Sequence, residues 1–228
     1  EMNLYETDRE FMERFEHFAF EEVVNEKGQE LEPKVRYTAI LATLLGCQGT
    51  DAFRMMLPKA LDAGVTPVMA KEIVYQATDY LGFGRVLPFI NITNEILEAR
   101  GVALPLENQA TTTLEDRLEK GIQAQVDIFG EHMNEAWKAS HINRWLASNC
   151  FGDYYTRNGL DLAQREMITF CFIMAQGGCE PQLTAHAKGN MNLGTDKEFL
   201  IRVVSQCVPY IGYPRSLNAI VCINKAAE

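Results

Sequence analysis

The sequence predicts an all-α protein, and three observations support this fold class. Apolar residues recur at the spacing of one helix face, for example at Leu200, Val203, Val204, Cys207 and Val208. Proline and glycine stand where helices would begin and end, as at Pro67 and Gly82. No stretch alternates apolar and polar residues over several positions, which is the pattern of a half-buried strand.

The first half of the chain predicts five helices. A capping box from Thr7 to Glu10 precedes an amphipathic helix that runs to about residue 25. The next predicted helix is apolar nearly all round, as a buried helix would be, and Thr66 is the predicted N-cap of the fourth. After the first helix, the predicted segments are Pro33 to Gly46, Ala52 to Ala63, Pro67 to about Leu81, and Arg85 to Arg100.

Residues 101–113 are rich in turn and cap residues and show little apolar periodicity, so they are predicted to be a linker. We therefore predict an N-terminal domain over residues 1–107 and a C-terminal domain over residues 108–228.

The second half predicts further helices and one loop. A helix begins at Leu114 and ends at Gly130, and the loop covers the aromatic, glycine-containing residues 149–160. A second helix between them carries Met133, Trp137 and Trp145 near one face. Helices are then expected from Arg165 to Gln176, from Gln182 to Leu193, and after a capping box from Thr195 to Glu198.

The chain contains an internal repeat. Arg36 and Arg165 are 129 positions apart. Eight further identical pairs are 130 apart: Gly64/Gly194, Val74/Val204, Gln76/Gln206, Tyr80/Tyr210, Gly82/Gly212, Arg85/Arg215, Ile90/Ile220 and Asn94/Asn224. We predict two copies of one helical unit, at about residues 31–97 and 160–226. In this register the first copy has Tyr37 and Met56 where the second has Glu166 and His186.

Composition restricts the class of protein. Hydrophobic residues make up 47% of the chain, enough for a sizeable core, and the formal net charge is -10. That charge argues against nucleic acid and anionic membranes as partners, and no apolar run reaches the roughly 18 residues that span a bilayer. The six cysteines form no C-x-x-C pair and no metal-ligand pattern. We expect reduced thiols, no metal or other cofactor, and a cytoplasmic protein.

The stretch from Cys179 to His186, C-E-P-Q-L-T-A-H, carries the candidate chemistry. Cys179 stands at the start of a predicted helix, where the helix dipole favours a thiolate nucleophile. Seven residues of helix rise about 10 Å, so Cys179 does not reach His186, whereas Gln182 meets it at i, i+4. Glu166, on the preceding helix, is the expected carboxylate partner of His186. The alternative is that both copies are scaffold and the pair is incidental.

A carboxylate substrate would need cations. Arg157, Arg165 and Arg215 are the arginines available for this role, with Tyr210 as a further hydrogen-bonding group. Salt bridges or buried structural contacts are equally good accounts of these side chains.

Several motifs resemble the carboxymuconolactone decarboxylase family, which includes the alkylhydroperoxidase AhpD. They are Arg165-Glu166, residues 179–186, N-L-G-T-D-K-E-F at 192–199 and P-Y-I-G-Y-P-R-S-L-N-A at 209–219. F-G-E-H-M-N at 129–134 and F-G-D-Y-Y-T-R-N-G-L-D at 151–161 are similar to the decarboxylase branch. The resemblance implies the AhpD-like helical fold with two tandem repeats, of which the first is degenerate.

The resemblance also implies two activities. In the AhpD-like branch a C-x-x-C is followed four positions later by histidine, with a glutamate on the preceding helix. Cys179, His186 and Glu166 match that pattern, but Gln182 replaces the second cysteine and argues against disulfide chemistry. The decarboxylase branch implies cofactor-free loss of carbon dioxide from a small carboxylated lactone, with His186 as general acid.

Two alternatives stay open: a peroxidase of the peroxiredoxin type that uses Cys179, and a non-enzymatic oligomeric binding protein. The family forms rings, so the resemblance implies a homo-oligomer, with three tandem chains as a pseudo-hexameric homotrimer.

Overall fold

A computed structural model describes residues 3–228, and this range is helical with no β-strand. The all-α prediction is therefore confirmed. The first half contains α1 (Leu4–Thr7), α2 (Arg9–His17), a π-helical segment (Phe18–Glu22), α3 (Val23–Asn25), α4 (Pro33–Gly46), α5 (Thr50–Asp62), α6 (Pro67–Leu81) and α7 (Phe83–Ala99).

Residues 100–116 contain no helix, in agreement with the predicted linker. The second half contains α8 (Arg117–Phe129), two 3₁₀ segments (Glu131–Asn134 and Ala136–Ala139), α9 (His141–Trp145), a π-helical segment (Leu146–Tyr155), α10 (Leu162–Gln176), α11 (Glu180–Asn192), α12 (Lys197–Ile211) and α13 (Tyr213–Ala226). No helix in residues 3–228 is long and apolar enough to cross a membrane.

Both predicted capping boxes are wrong. The residue before α2 is Asp8, which forms no side-chain cap, and the Thr7 hydroxyl donates to the Asp8 carboxylate and not to the helix. The N-cap of α12 is Asp196, whose side chain accepts from the backbone N–H of Phe199. In each case an aspartate one position further on is the residue that stands before the helix.

Two other predictions between Gly130 and Leu162 are also wrong. The helix expected to carry Met133, Trp137 and Trp145 is divided into two 3₁₀ segments and the short α9. The loop expected at 149–160 is largely the π-helix Leu146–Tyr155. Glycine is needed at position 152 of that π-helix because α8 crosses it closely: a Cβ at Gly152 would lie 2.1 Å from the carbonyl oxygen of Arg117.

The helices repeat in the predicted register. α5, α6 and α7 begin 130 positions before α11, α12 and α13, and α4 begins 129 positions before α10. The copies exchange equivalent contacts across their interface: Arg36 Nε donates to Gln206 Oε1 at 3.0 Å, and Arg165 Nη1 donates to Gln76 Oε1 at 2.9 Å. Each arginine binds the glutamine of the other copy, which is the reciprocity of a two-fold interface.

The two copies share one hydrophobic core, in which α4 packs against α10. The close approach depends on Gly46, where a Cβ would lie 2.5 Å from the carbonyl oxygen of Phe172 and 2.7 Å from the Cβ of Ala175. The copies are therefore one packed body, and a boundary at residue 107 stays a prediction.

Candidate active site

Cys179, Gln182 and His186 follow one another along one side of α11 and border a single cavity of about 420 Å³. α11 begins directly after Cys179, and Pro181 in its first turn suits a position where no backbone N–H is needed. The cavity wall is largely apolar and aromatic, with Phe129, Met133, Leu146, Phe151 and Ile173 among its residues. The polar residues on the wall include Asp79, Tyr80, Gln125, His132 and Gln176.

The structure brings His186 and Glu166 together. His186 Nδ1 lies 2.9 Å from Glu166 Oε2 and 3.1 Å from Oε1, and the Glu166 side chain has no solvent exposure. The Tyr155 hydroxyl donates to Glu166 Oε1 at 2.7 Å. A carboxylate held in this way fixes the histidine ring and its tautomer. Because Nδ1 faces Glu166, Nε2 is the nitrogen available to a molecule in the cavity.

A hydroxyl network supports the pair. Tyr155 Oη lies 2.8 Å from Tyr80 Oη and 2.7 Å from Thr169 Oγ1. Burial raises the pKa of both tyrosines well above its usual range, so they act as neutral hydrogen-bonding groups. The rings of Tyr80 and Phe129 meet the His186 ring edge to face, with centroids 5.6 and 5.3 Å away. Ring packing and the Glu166 carboxylate together fix the orientation of the imidazole.

Asp79 is a second titratable group on the cavity wall, and the sequence did not single it out. Burial, followed by the negative charge of Asp153, raises its pKa to about 7. Its Oδ2 is buried and has no hydrogen-bond partner in residues 3–228, and the same holds for Gln125 Oε1. Both atoms belong to residues that border the cavity, and both lack a hydrogen-bond donor among the described residues.

The space around Glu166 depends on a glycine in α11. A Cβ at Gly189 would lie 2.7 Å from Glu166 Oε2 and 2.9 Å from both Ile128 Cγ2 and Phe129 Cε1. Glycine therefore lets α8 and the Glu166 carboxylate pack directly against the backbone of α11.

Arg165 lies next to Glu166 in sequence but outside the cavity, in a structural network. Its side chain is fully buried, with Nη2 3.0 Å from Glu72 Oε1. Nη2 also donates to the carbonyl oxygens of Arg157 and Asn158, each at 3.0 Å. Consecutive residues on α10 point to different sides, which is why Glu166 faces His186 and Arg165 faces the first copy.

Arg157 also binds Glu72, through Nε at 2.7 Å and Nη2 at 3.0 Å. It borders a different cavity of about 650 Å³, between α6, α7 and the linker. The Glu72 pairing holds Arg157 away from His186, so the sequence-based grouping of Arg157 and Arg165 with His186 does not match the geometry.

Arg215 and Tyr210 lie elsewhere as well. Arg215 Nη1 donates to the carbonyl oxygen of Ala175 at 2.7 Å, at the end of α10. The Tyr210 ring packs edge to face on Phe15, and its buried hydroxyl has no partner in residues 3–228. Burial raises the Tyr210 pKa to about 12. Its repeat equivalent, Tyr80, borders the His186 cavity instead, because α6 of the first copy packs against α10 of the second.

The cysteines are all free, and Cys179 Sγ accepts from Gln176 Nε2 at 3.2 Å. Gln182 borders the same cavity, at the position where a second cysteine would be needed for a disulfide. Within residues 3–228 no group of three or more His, Cys, Asp and Glu side chains is arranged to hold a metal ion.

A glutamate–histidine pair set between duplicated helices is the kind of centre that the sequence motifs indicated. The model of the carboxymuconolactone decarboxylase family matches residues 9–95 and 141–223. The chain belongs to this family and contains two tandem copies of its domain. A comparison with curated proteins found no match. Membership supports a decarboxylase or AhpD-like function in general.

Proposed function

We propose that this protein is a cofactor-free lyase that removes carbon dioxide from a small cyclic carboxylic acid, such as a carboxylated lactone. The observation that carries the proposal is the His186–Glu166 pair at an apolar cavity, with one imidazole nitrogen bound by the buried carboxylate. This arrangement suits a group that delivers a proton to carbon, because the Glu166 carboxylate binds Nδ1 and fixes the ring, which leaves Nε2 available to the substrate.

The proposed reaction has two steps. The carbon–carboxylate bond breaks, carbon dioxide leaves, and the electron pair moves onto the ring carbon and its conjugated carbonyl oxygen as an enolate. His186 then donates the proton on Nε2 to the carbon and regains one from solvent. The net reaction consumes one substrate carboxylate and one proton and releases carbon dioxide.

Asp79 has a supporting role in this proposal. A carboxyl whose pKa is about 7 keeps its proton in a large fraction of molecules near neutral pH. In that form it donates a hydrogen bond, and its location on the cavity wall lets it stabilise the developing enolate oxygen. A negatively charged Asp79 would instead oppose enolate formation, so activity should fall as pH rises through about 7.

The cavity favours a substrate with a single reacting carboxylate. Among residues 3–228, no lysine or arginine borders it. A carboxylate placed there meets no lysine or arginine and loses its charge when carbon dioxide leaves, whereas the enolate gains hydrogen bonds. We therefore do not assign substrate binding to Arg157, Arg165, Arg215 or Tyr210, and propose Gln182 and Gln125 as the groups that orient the substrate.

The test is to incubate purified protein with 4-carboxymuconolactone and singly carboxylated lactone analogues in deuterated water. Carbon dioxide release and deuterium incorporation at carbon are both measured. We expect His186→Gln to lower turnover by at least about 10²-fold, because general acid catalysis contributes that much. Glu166→Gln should lower it less, because an amide still orients the ring.

The matched control is His17→Gln, an identical substitution at a histidine whose side chain is 57% exposed and lies outside the cavity. It should leave turnover unchanged. The proposal is wrong if none of the lactones loses carbon dioxide, or if His186→Gln and wild type react at the same rate. Binding of a lactone in the cavity without turnover would favour the non-enzymatic binding protein.

A thiol peroxidase is the second candidate, because Cys179 borders the same cavity and receives a hydrogen bond from Gln176. The thiolate would attack the peroxide, giving a sulfenic acid and water or an alcohol, and an external thiol would reduce the sulfenic acid. Consumption of peroxide with dithiothreitol, abolished in Cys179→Ser, would support this activity. Retention of lyase turnover in Cys179→Ser would separate the two.

We further propose that the protein is a homotrimer located in the cytoplasm. The exposed apolar residues Tyr213, Leu217 and Val221 follow one face of α13 at i, i+4 and i+8 and give a second copy a surface to cover. Light scattering should report three chains, and a Leu217→Glu variant should dissociate the assembly. A monomeric wild type would contradict it.

A further inference from the structure

A third cavity lies where the two copies meet, at the ends of α4 and α10. It has a volume of about 330 Å³ and is bordered by Gly46, Cys47, Gln48, Arg85, Gln176, Gly177 and Arg215. Arg85 and Arg215 are equivalent positions of the repeat. Each lies in the first turn of the last helix of its copy, three positions after the glycine that precedes that helix. The duplication therefore directs two guanidinium groups to one place.

These two positive charges have no carboxylate partner among residues 3–228, and no Asp or Glu borders the cavity. Arg85 Nη1 donates to Gln176 Oε1 at 3.1 Å, and Arg215 Nη1 donates to the Ala175 carbonyl oxygen. A helix cap needs one N–H, whereas a guanidinium offers several in a planar fork. Both arginines are exposed, and the one hydrogen bond that each makes here leaves its other donors to solvent, where a ligand can replace water.

The backbone at this cavity is also unusual. Gln48 has φ 57°, the one non-glycine residue of 3–228 in the left-handed region, and Gly177 has φ 72°. A Cβ at Gly177 would lie 3.1 Å from Arg215 Nε, so a side chain there would crowd the guanidinium. Residues held in left-handed conformations often cluster at binding sites.

We propose that this cavity is a binding site for a small oxyanion, a carboxylate or a phosphate, held by Arg85 and Arg215 together. Two guanidiniums that converge without a counter-ion repel each other, and an anion between them converts that repulsion into attraction. Planar oxyanions match the paired N–H groups of arginine. The chain carries a net charge of -10, so such a site attracts anions by local geometry and not by overall charge.

The site is connected to the His186 cavity through Gln176, which borders both. The Gln176 side chain accepts from Arg85 with its oxygen and donates to Cys179 Sγ with its nitrogen. An anion that draws Arg85 towards itself therefore weakens the Arg85–Gln176 hydrogen bond, and Gln176 then orients Cys179 less firmly. Anion binding itself needs no turnover, so the failure of the proposed lyase activity would leave this site standing.

The experiment measures binding of malonate and of inorganic phosphate by calorimetry at constant ionic strength, with chloride as the balancing anion. We expect wild type to bind at least one of them, and Arg85→Gln to weaken binding by at least about tenfold through loss of charge-assisted hydrogen bonds. Arg215→Gln should do the same. The control Arg14→Gln removes an exposed arginine of α2, outside the cavity, and should leave binding unchanged.

A second measurement uses only the wild-type protein, so it does not depend on whether the variants fold. Cys47 borders the cavity, so a bound anion should slow its alkylation in wild type, as followed by peptide mass spectrometry. Preference for malonate would identify an organic acid as the ligand, and preference for phosphate a phosphate. The proposal is overturned if neither anion binds, if Arg85→Gln binds as wild type does, or if saturating anion leaves Cys47 alkylation unchanged.

Discussion

The repeat places two equivalent sites in the molecule, and only one of them contains a glutamate–histidine pair. In the second copy Glu166 pairs with His186. The equivalent positions of the first copy, in the same register, are Tyr37 and Met56. The buried arginine–glutamine contacts, by contrast, are present in both copies. Duplication thus retained the contacts that hold the copies together and confined the titratable pair to one of them.

Each of these sites is built from both copies. Tyr80, from the first copy, packs on His186, while its equivalent Tyr210 lies against Phe15 in the first-copy site. Asp79 borders the His186 cavity, but the residue at the equivalent position is Pro209. The first copy therefore contributes α6 to the candidate active site although it lacks the Glu/His pair. Three of the four comparisons that follow are made at equivalent positions of the two copies.

The largest difference is expected at the two buried arginines. Arg165→Met removes one of two guanidiniums that compensate the buried Glu72 carboxylate, and breaking such a pair costs about 3 kcal/mol or more. Arg36→Met removes contacts to neutral groups only and should cost less. These groups are the Gln206 side chain, the Ala19 carbonyl oxygen and the rings of Phe20 and Tyr37. Denaturant unfolding of both variants measures the difference. Equal losses would mean that the Glu72 ion pair contributes no stability.

The next effect concerns Asp79, whose raised pKa makes folding pH-dependent. The folded state keeps the Asp79 proton up to about pH 7, while the unfolded chain releases it near the ordinary aspartate pKa of 3.8, so stability falls as pH rises between these values. Asp79→Asn removes this dependence. It should be more stable than wild type at about pH 8, by on the order of 2 kcal/mol, and similar to it at about pH 4.

Thermal unfolding across that pH range checks this expectation. Asp127→Asn provides the control, because Asp127 is exposed and accepts from Gln123 on its own helix. Asp127→Asn removes the same formal charge as Asp79→Asn, but it removes it from an exposed carboxylate. If Asp79→Asn and Asp127→Asn gave parallel curves, net charge and not the buried carboxyl would be responsible.

A smaller effect is expected at Gly189, whose repeat equivalent is the exposed Lys59. Gly189→Ala forces Glu166 or Phe129 to shift, at about 1–3 kcal/mol for overpacking, while helix propensity returns about 1 kcal/mol. We expect a net loss near 1 kcal/mol together with lowered turnover. Lys59→Ala should affect neither. Unchanged turnover in Gly189→Ala would show that the Glu166 position is not critical.

Most of the fold was predictable because local signals and tertiary packing agree. The repeat register and the bounds of α4 follow from proline, glycine and apolar spacing. Apart from the two capping boxes, the failures lie between Gly130 and Leu162. There α8 and the π-helix pack so closely that a Cβ at Gly121 would lie 1.8 Å from the Ala147 carbonyl oxygen. That contact between helices decides the local conformation, and short-range sequence patterns do not report it.

Only the part of the site that belongs to the second copy was predictable from the sequence. Glu166 and His186 belong to the same copy, and the motif on α10 and α11 contains both. Asp79 and Tyr80 come from the other copy, because the repeats pack in a reciprocal way that a linear comparison does not show. For the same reason, Tyr210 was predicted as a site residue, whereas its first-copy equivalent Tyr80 is the tyrosine that borders the His186 cavity. The buried ion pair of Arg165 is one of the two accounts that the sequence left open, and its partner could not be read from local pattern because Glu72 lies 93 positions away.

The smallest effect is expected from one substitution, tyrosine to phenylalanine, made at the equivalent positions Tyr80 and Tyr210. Tyr80→Phe removes a hydroxyl that hydrogen-bonds to Tyr155, so it should cost about 1 kcal/mol and lower turnover through the Tyr155–Glu166 contact. Tyr210→Phe removes a buried hydroxyl without a partner in residues 3–228, so stability should be unchanged or slightly raised, with turnover intact. Because the substitution is identical, the difference reports the surroundings alone. A reversed order would mean that Tyr210 belongs to the working site, and that the two copies were assigned the wrong way round.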